Sequence, residues 1–359
     1  MISVELKLRL NKSQERELER WLWHLTGVWN WAIRKIELDA NDGIYYSSFE
    51  FKGLLAFHSP KIGIAGDALS ETLKTAYIAW QRCFRKQSRK PKFKGQRNKL
   101  NSIPFRQGFR LIDSTHINIY GFGKNIRFYK QDIPTGKIKT GRIIKRASGW
   151  HLSLMIESSP NPIPITSDDV IGIDPGYSTT ITTSNGEKID QPKEFKLAHT
   201  RLAQAQRSGN KQLSARLAER IKNRRKDNNH KLSRELVSKN RIIFFSKDNI
   251  QGIKKRFGKS ATDASHFQLR TMLAYKCRTG GRQYVEVNSK HSTMTCSCCL
   301  ARTGPTGIAG LSVRQWACSS CGTAHDRDIN SAVNTLIVGL GMSHGVQKPQ
   351  IAEFKKGSK

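Results

Sequence analysis

The stretch from Cys296 to Asn330 decides how this chain is read. It runs Cys296-Ser-Cys298-Cys299, then eighteen residues, then Cys318-Ser-Ser-Cys321, and almost at once His325-Asp326-Arg327-Asp328-Ile329-Asn330. Each Cys-x-x-C pair wraps one side of a tetrahedral ion, and the loop between the pairs closes the other side. That is the donor set of a structural zinc site. Cys296, Cys299, Cys318 and Cys321 are the expected ligands. Cys298 is the spare, and it competes with Cys299 if the first knuckle is shifted. Five of the seven cysteines fall in this stretch, so they are concentrated rather than scattered as buried free thiols would be.

Working outward, charge is the next constraint. The 359 residues carry 62 Lys and Arg against 28 Asp and Glu, a formal charge of +34. Self-repulsion of that size opposes a compact chain unless a polyanion neutralises it. Nucleic acid is the natural counterion, because phosphate contacts dominate such affinities. A membrane is disfavoured, since the sequence holds no apolar run of about 18 residues and no amphipathic anchor. Residues 1–10 (MISVELKLRL) alternate in a strand pattern, not in the manner of a signal peptide. Clustered thiols without further pairs fit a reducing compartment, and a cytoplasmic location is expected. The length suits two or three domains.

After the opening strand, Asn11 or Ser13 can cap a helix along which Leu18, Trp21, Leu22, Leu25, Trp29, Ala32 and Ile36 recur at helical spacing. The tryptophans read as core. Ser47 and Glu50 have capping-box spacing, and a third helix carries Leu69, Leu73, Ala76, Trp80 and Phe84. Residues 11–90 are thus a helical domain. From Arg82 to Lys99 there are nine basic residues and no acid, interrupted by Pro91 and Gly95. Within it, 91–99 reads as a basic linker, since a regular helix does not survive Pro and Gly. Arg89, Lys90, Lys92, Lys94 and Arg97 are candidate backbone contacts, with Phe93 a stacking candidate. Residues 100–160 are strand-like and, with residues 1–10, suggest a small β-barrel into which the helical domain is inserted.

A Pro-rich linker near 160–167 leads to Val170-Ile-Gly-Ile-Asp174-Pro-Gly176, an apolar strand ending in a carboxylate and followed by two further strands. A meander that delivers an acid from its first strand is how an RNase H-like fold begins. Residues 193–241 form a basic helical region, with thirteen Lys or Arg and three acids between Arg201 and Arg241. So one-sided a face suits a duplex, with Arg216, Arg220, Arg224 and Arg225 as contacts. A buried strand at 242–245, a helix from about Asp263 and a strand at 283–288 lead into the knuckles. Residues 343–359 read as a flexible tail.

These motifs together, V-I-G-I-D-P-G, the strand at 242–253, the paired knuckles and D-R-D-I-N-S-A-V-N, resemble the TnpB/OrfB proteins of insertion sequences, relatives of type V CRISPR effectors. The likeness is strongest over 165–340 and looser before it. It implies an α/β multidomain protein. A RuvC-like (RNase H-like) domain would span 166–340, with a zinc ribbon at 291–324. A wedge-like barrel would comprise 1–10 and 100–160, and a helical recognition domain 11–90. It also implies a guide RNA, double-stranded target DNA with a short adjacent motif, and a RuvC-type two-metal site.

Carried over residue by residue, the first acid is Asp174 and the third is Asp328, with Asp326 the weaker choice. The family's middle strand ends in E-D-L-N-I-x-G. Here the match reads S-K-D-N-I-Q-G, which puts Ser246 where the Glu belongs and Lys247 beside it. Relatives lacking that Glu carry another in E-V-N-E before the first knuckle, where this chain has Ser289. Asp248 and Glu286 are the substitutes in reach. A two-ion site short of one ligand binds Mg²⁺ weakly, and losing one electrostatic stabiliser lowers the rate on the order of 10²–10³-fold. The expected function is an RNA-guided, sequence-specific DNA-binding protein resembling the nuclease-dead TnpB-like repressors (TldR), a monomer that holds an R-loop and blocks transcription. Against it stand an active RNA-guided endonuclease using Asp248 or Glu286, and a guide-independent zinc-containing DNA-binding protein.

Overall fold

The structure is a computed structural model that describes residues 2–55, 58–123, 125–158, 163–247, 263–288, 290–306, 310 and 312–341. The chain divides into two compact units, Met1–Pro160 and Asn161–Lys359.

In the first unit, strands β1 (Ile2–Arg9), β2 (Ser102–Phe105), β3 (Phe109–Leu111), β4 (His116–Ile119), β5 (Ile126–Phe128), β6 (Lys137–Arg146) and β7 (Gly149–Glu157) form one sheet. Their order is β2-β6-β7-β1-β5-β4-β3. The alternation read in residues 1–10 is real, since Val4, Leu6 and Leu8 are buried and their neighbours are not. The two edge strands, β2 and β3, are separated by only residues 106–108, so the sheet coils until its edges meet. Phe105 and Phe109 rings lie 5.0 Å apart there. Gly141 admits the Phe109 ring, which a Cβ would approach to 2.3 Å. No β2–β3 ladder closes the ring among the described residues, so the expected barrel is a coiled open sheet.

Helices α1 (Lys12–Asn41), α2 (Ser48–Gly53), α3 (Ser59–Ile62) and α4 (Gly66–Phe84) fall between β1 and β2. Of the two cap candidates, Asn11 is the one used: its side chain accepts from the Gln14 amide at 2.8 Å, and Gln14 answers with its own oxygen. Ser47 and Glu50 make the second capping box. Trp21, Trp29 and Trp80 are core residues. Phe84 is exposed at its helix end and stacks on Trp80 at 5.2 Å.

The segment 91–99, the expected basic linker, is strapped onto α1. Trp29 Nε1 donates to the Lys92 carbonyl at 3.2 Å, and Asn30 brackets the Lys94 backbone with bonds of 2.7 and 2.8 Å. Lys90 pairs with Glu37, Lys99 with Glu19, and Lys94 lies over the Trp29 ring. A chain that cannot be helical has its backbone polar groups answered by α1 instead.

The second unit is built on strands β8 (Asp169–Pro175), β9 (Ile181–Thr183), β10 (Lys188–Ile189), β11 (Asn240–Ser246) and β12 (Gln283–Val287), in the order β10-β9-β8-β11-β12. The first three form an antiparallel meander, and β11 runs parallel to both β8 and β12. Helices α5 (Glu194–Arg207), α6 (Lys211–Lys239) and α7 (His266–Thr279) precede a small hairpin, β13 (Gln315–Ala317) with β14 (Ala324–Asp326), and then α8 (Arg327–Gly339). The basic region is two helices. Gly209 at φ +67° breaks the run, and Asn210 caps α6 by accepting from Leu213. Leu202, Ala205, Leu217 and Ile221 pack α5 on α6.

The sheet has two differently covered faces. Ile171, Ile173, Ile243 and Phe245 meet Leu232, Leu236 and Val237 of α6 and Leu269 and Leu273 of α7. Phe244 and Val287 meet Leu336 of α8. Gly172 decides how close α8 comes, because a Cβ there would lie 2.3 Å from the Ala332 carbonyl and 2.7 Å from the Leu336 amide. Helix and strand backbones therefore touch. No helix among the described residues is long and apolar enough to cross a membrane.

Candidate metal centre and acid site

The knuckles are built by tight turns. Cys296 N donates to the Ala301 carbonyl and the Leu300 amide returns to Cys296. Leu300 takes a φ of +66°. In the second knuckle Cys318 N donates to Thr323 and Gly322 N to Cys318, with Gly322 at φ +73°. These turns aim four thiols inward, and all four Sγ atoms lie within 4.8 Å of one another. Cys296 to Cys321 is 3.7 Å and Cys299 to Cys318 is 3.6 Å. A tetrahedral ion with Zn–S bonds near 2.3 Å has S···S edges of about 3.8 Å, so the spacing suits zinc. Four thiolates this close would repel without a dication. Cys298 is exposed and outside the group, which resolves the register in favour of Cys299. His325 Nε2 lies 3.0 Å from Cys296 Sγ and its ring packs on Trp316, as an outer partner orienting the ligand.

The knuckles also hold α8. Asn330 accepts from the Ser297 amide at 2.9 Å and donates to the Thr295 and Ser292 carbonyls at 2.8 and 3.2 Å. Asn334 donates to the same two carbonyls at 2.6 and 2.8 Å. Both asparagines are buried. They are visible in the motif D-I-N-S-A-V-N, but their role is set by the fold.

The same helix reaches the acids, and Ser331, whose hydroxyl also lies 2.8 Å from that of Ser292, links the two sides. Ser331 donates to Asp174 Oδ1 at 2.8 Å, which joins the helix to the end of β8. Asp328 is three residues before Ser331 and so one turn away on the same face. Asp326 is spent as the helix cap, accepting from the amides of Asp328 and Ile329 at 3.1 Å while Lys188 Nζ holds its other oxygen at 2.7 Å. Burial pushes this carboxyl up, but Lys188 and the two amides outweigh it, and its pKa lies below the usual value. Arg314 reaches Asp328 Oδ2 at 3.4 Å and Ser178 Oγ at 3.3 Å.

The middle strand contributes no acid. The β11 register pairs Phe245 with Ile173 of β8 and with Glu286 of β12, and pairs Ser246 with Val287. Side chains alternate along a strand, so Ser246, one past Phe245, stands in the row of Asp174, one past Ile173. It is buried. Glu286 is on the other face, where Arg270 of α7 grips it with two bonds and Tyr284 adds a third. The Arg270 bond holds the Glu286 carboxyl below its ordinary range, with a smaller pull from Lys247. Glu286 is therefore not available to Asp174, and its expectation as a substitute ligand is corrected by register. Asp248 and Ser289 lie outside the described residues. Among the described residues, the four cysteines are the one set of three or more His, Cys, Asp or Glu side chains placed to share an ion.

Of the basic candidates, Arg89, Lys92, Arg97, Arg216 and Arg220 are exposed, as is the Phe93 ring. Lys90 is also exposed beside Glu37, while Lys94 is half-buried with its ammonium over the Trp29 ring. Arg224 is exposed although it also reaches the buried Glu194 at 3.2 Å, whereas Arg225 is half-buried and less open than its sequence position suggested.

Comparison with known proteins agrees with this architecture. The family model described as "Cas12f1-like, TNB domain" matches residues 266–335, from α7 through the knuckles into α8. The chain is similar in fold to a chain of the solved structure titled "Cryo-EM structure of the Cas12f1-sgRNA-target DNA complex". Its TM-score is 0.56 at 13% identity, covering 89% of this chain and 82% of that one. Sheet topology, helices and knuckles thus define a Cas12f1-like α/β protein.

The relatives narrow this further. A "Putative RNA-guided DNA endonuclease" of Streptomyces pristinaespiralis is 31% identical over 293 residues, covering 77% of this chain and 72% of its own length. The "Putative RNA-guided DNA endonuclease InsQ" of Escherichia coli K12 is 26% identical over 304 residues, covering 76% and 74%. The chain belongs to the TnpB/OrfB family.

Proposed function

We propose that this protein is an RNA-guided DNA-binding protein that occupies its target without cutting it and represses transcription there, in the manner of the TldR subgroup. Guide and target pairing would give sequence choice, while the protein reads duplex shape, backbone and an adjacent motif. In this reading residues 166–340 are a RuvC-like domain of RNase H-like topology, and the β10-β9-β8-β11-β12 order with its antiparallel meander supports that. The knuckles at 291–324 are its zinc ribbon, the first unit's sheet is the wedge, and 11–90 is the recognition domain.

The observation that carries the reading is Ser246. It occupies the row of Asp174, and the nearest acid on β12, Glu286, faces away and is held by Arg270. Each remaining acid has a partner within the chain: Ser331 for Asp174, Lys188 for Asp326 and Arg314 for Asp328. A two-ion magnesium site needs convergent carboxylates from several elements, and the described part of the middle strand supplies none here. The rest of the chain suits nucleic acid, with a charge of +34 and exposed Arg and Lys on the strap and on α6.

The test is to purify the protein, sequence the RNA that accompanies it, and supply DNA matching the guide segment. The expected result is guide-dependent binding, no cleavage in Mg²⁺ or Mn²⁺, and lowered transcription from a matched promoter. Cleavage of matched DNA that Asp174→Ala abolishes would overturn the reading in favour of an active endonuclease. Absence of bound RNA would leave a guide-independent DNA-binding protein.

A further inference from the structure

The second unit holds a cavity of about 400 Å³ that no motif announced. It forms where three segments of the chain meet: the loop 176–180 after β8, residues 191–200 leading into α5, and residues 263–264 just ahead of α7. Asp263 joins the last two. Its carboxylate accepts from the Phe195 and Lys196 amides at 2.7 and 3.0 Å, so it caps α5 from another part of the chain. The loop is fixed from two sides. Buried His266 places its Nε2 3.0 Å from the Thr180 carbonyl, and the Tyr177 ring packs on its imidazole at 5.2 Å. Lys193 Nζ donates to the Ser178 carbonyl at 2.8 Å. The walls are held by the fold, and the cavity is preformed.

Its lining combines aromatic faces with cations. Tyr177, Phe195 and His199 supply the faces, and the Phe195 and His199 rings meet edge-on at 5.7 Å. Lys193 and Lys196 supply the charge, and Lys196 and His199 are exposed at the rim. Gln191 gives its side-chain N–H to the Asn228 carbonyl at 3.1 Å, which leaves its side-chain oxygen as an acceptor. The volume is at the small end of the roughly 300–1,000 Å³ typical of ligand pockets, so it suits one nucleotide and not a length of strand.

We propose that this cavity takes one unstacked nucleotide of the bound nucleic acid, its base against the Tyr177 and Phe195 rings and its phosphate at Lys196. The inference rests on the binding reading given above. Extruding a base costs its stacking on its neighbours, and aromatic side chains in a preformed pocket restore it. A base held here also gives the protein a fixed point on a strand that the basic face of α6 grips only through phosphates, which carry no register. The strand that supplies the nucleotide is guide RNA or target DNA, and the experiment tells them apart.

The experiment is ultraviolet cross-linking of the purified protein–guide complex, before and after matched DNA is added, with mass spectrometry of the peptides. A nucleotide adduct should appear on the peptide carrying Tyr177 or on the one carrying Phe195. A ribonucleotide adduct present before DNA is added assigns the guide, and a deoxyribonucleotide adduct seen only with DNA assigns the target. Phe195 also packs where α5 meets α6, so leucine is the substitution that keeps apolar bulk and removes the stacking face. Tyr177→Leu and Phe195→Leu should each weaken affinity for the cross-linked strand about tenfold. Tyr177→Phe should match wild type, and Lys196→Gln should lower the salt slope by one contact, about 0.7 for a single strand. Thermal melts of the same preparations separate a lost contact from a misfolded variant. Adducts confined to other peptides, or folded leucine variants that bind both strands like wild type, overturn the proposal. Wild-type protein that retains no RNA and binds no matched DNA removes the underlying reading, and this inference with it.

Discussion

Removing the knuckle ion should loosen one half of α8 and leave the other half in place. The perturbation is extraction of zinc with a chelator, or Cys318→Ser, which takes one of four thiols that lie within 4.8 Å of one another. The knuckles present the Ser292 and Thr295 carbonyls and the Ser297 amide to α8. Asn330 and Asn334 meet them with five hydrogen bonds. At about 1 kcal/mol net for each such bond the ceiling is about 5 kcal/mol, and partial retention brings the expected loss to about 3 kcal/mol. A tenfold change corresponds to about 1.4 kcal/mol, so amide exchange around 330–334 should accelerate roughly 100-fold. Residues 336–339 are held differently. Leu336 packs on β8 through the gap at Gly172, and Gly339 sits against the Phe244 ring. Exchange there should change less than about threefold. Hydrogen–deuterium exchange with mass spectrometry resolves the two halves, and elemental analysis should find one zinc per chain before extraction and none after. Zinc loss without faster exchange at 330–334, or a uniform rise along the whole helix, would refute the coupling.

Two further perturbations probe the same domain. Gly172→Ala forces a Cβ to within 2.3 Å of the Ala332 carbonyl, so α8 must retreat. Overpacking of this kind costs about 1–3 kcal/mol, and at about 2–4 °C per kcal/mol the domain's melting temperature should fall by roughly 5 °C, with Phe244 and Leu336 losing contact. An unchanged melt would show that the backbone contact is dispensable. His266 supplies a pH test. Burial holds its pKa down to about 4 from 6.5, with bonds to the Thr180 and Gly176 backbone opposing the shift. A depressed imidazole stabilises fully above pH 6.5, and this is lost as pH falls from 6.5 toward 4, about 3 kcal/mol in all. Urea denaturation at pH 7.5 and pH 5 should reveal the loss, and His266→Gln should flatten that part of the pH dependence. A wild-type protein equally stable at both values would contradict it.

How far the site could be read from sequence depends on which residues one follows. The knuckles were legible because metal geometry imposes a local spacing that survives any arrangement of the rest. Asp174 and Asp328 were legible because each ends a short, recognisable motif. The helices of residues 11–85 were legible through their caps and apolar spacing. Arg314, Lys188 and Ser331 were not singled out, since their roles exist only where separate segments meet. The packing of 91–99 on α1 was not legible for the same reason: its pinning by Trp29 and Asn30 spans about 60 residues of chain.

The sequence by itself determined the spacing of the four cysteines, the charge, and the places of Asp174, Asp328 and Ser246 along their motifs. Its information is local, held in spacing, caps and alternation. Only the tertiary structure decided which face each acid takes. The parallel register of β8, β11 and β12 sets Ser246 in the row of Asp174 and turns Glu286 to the other side. A one-residue shift in either pairing would reverse that assignment, because strand side chains alternate with a period of two. The close approach at Gly172 then decides that α8, with Asp328 and Ser331, lies over the end of β8, and the zinc hairpin decides that Arg314 meets it there.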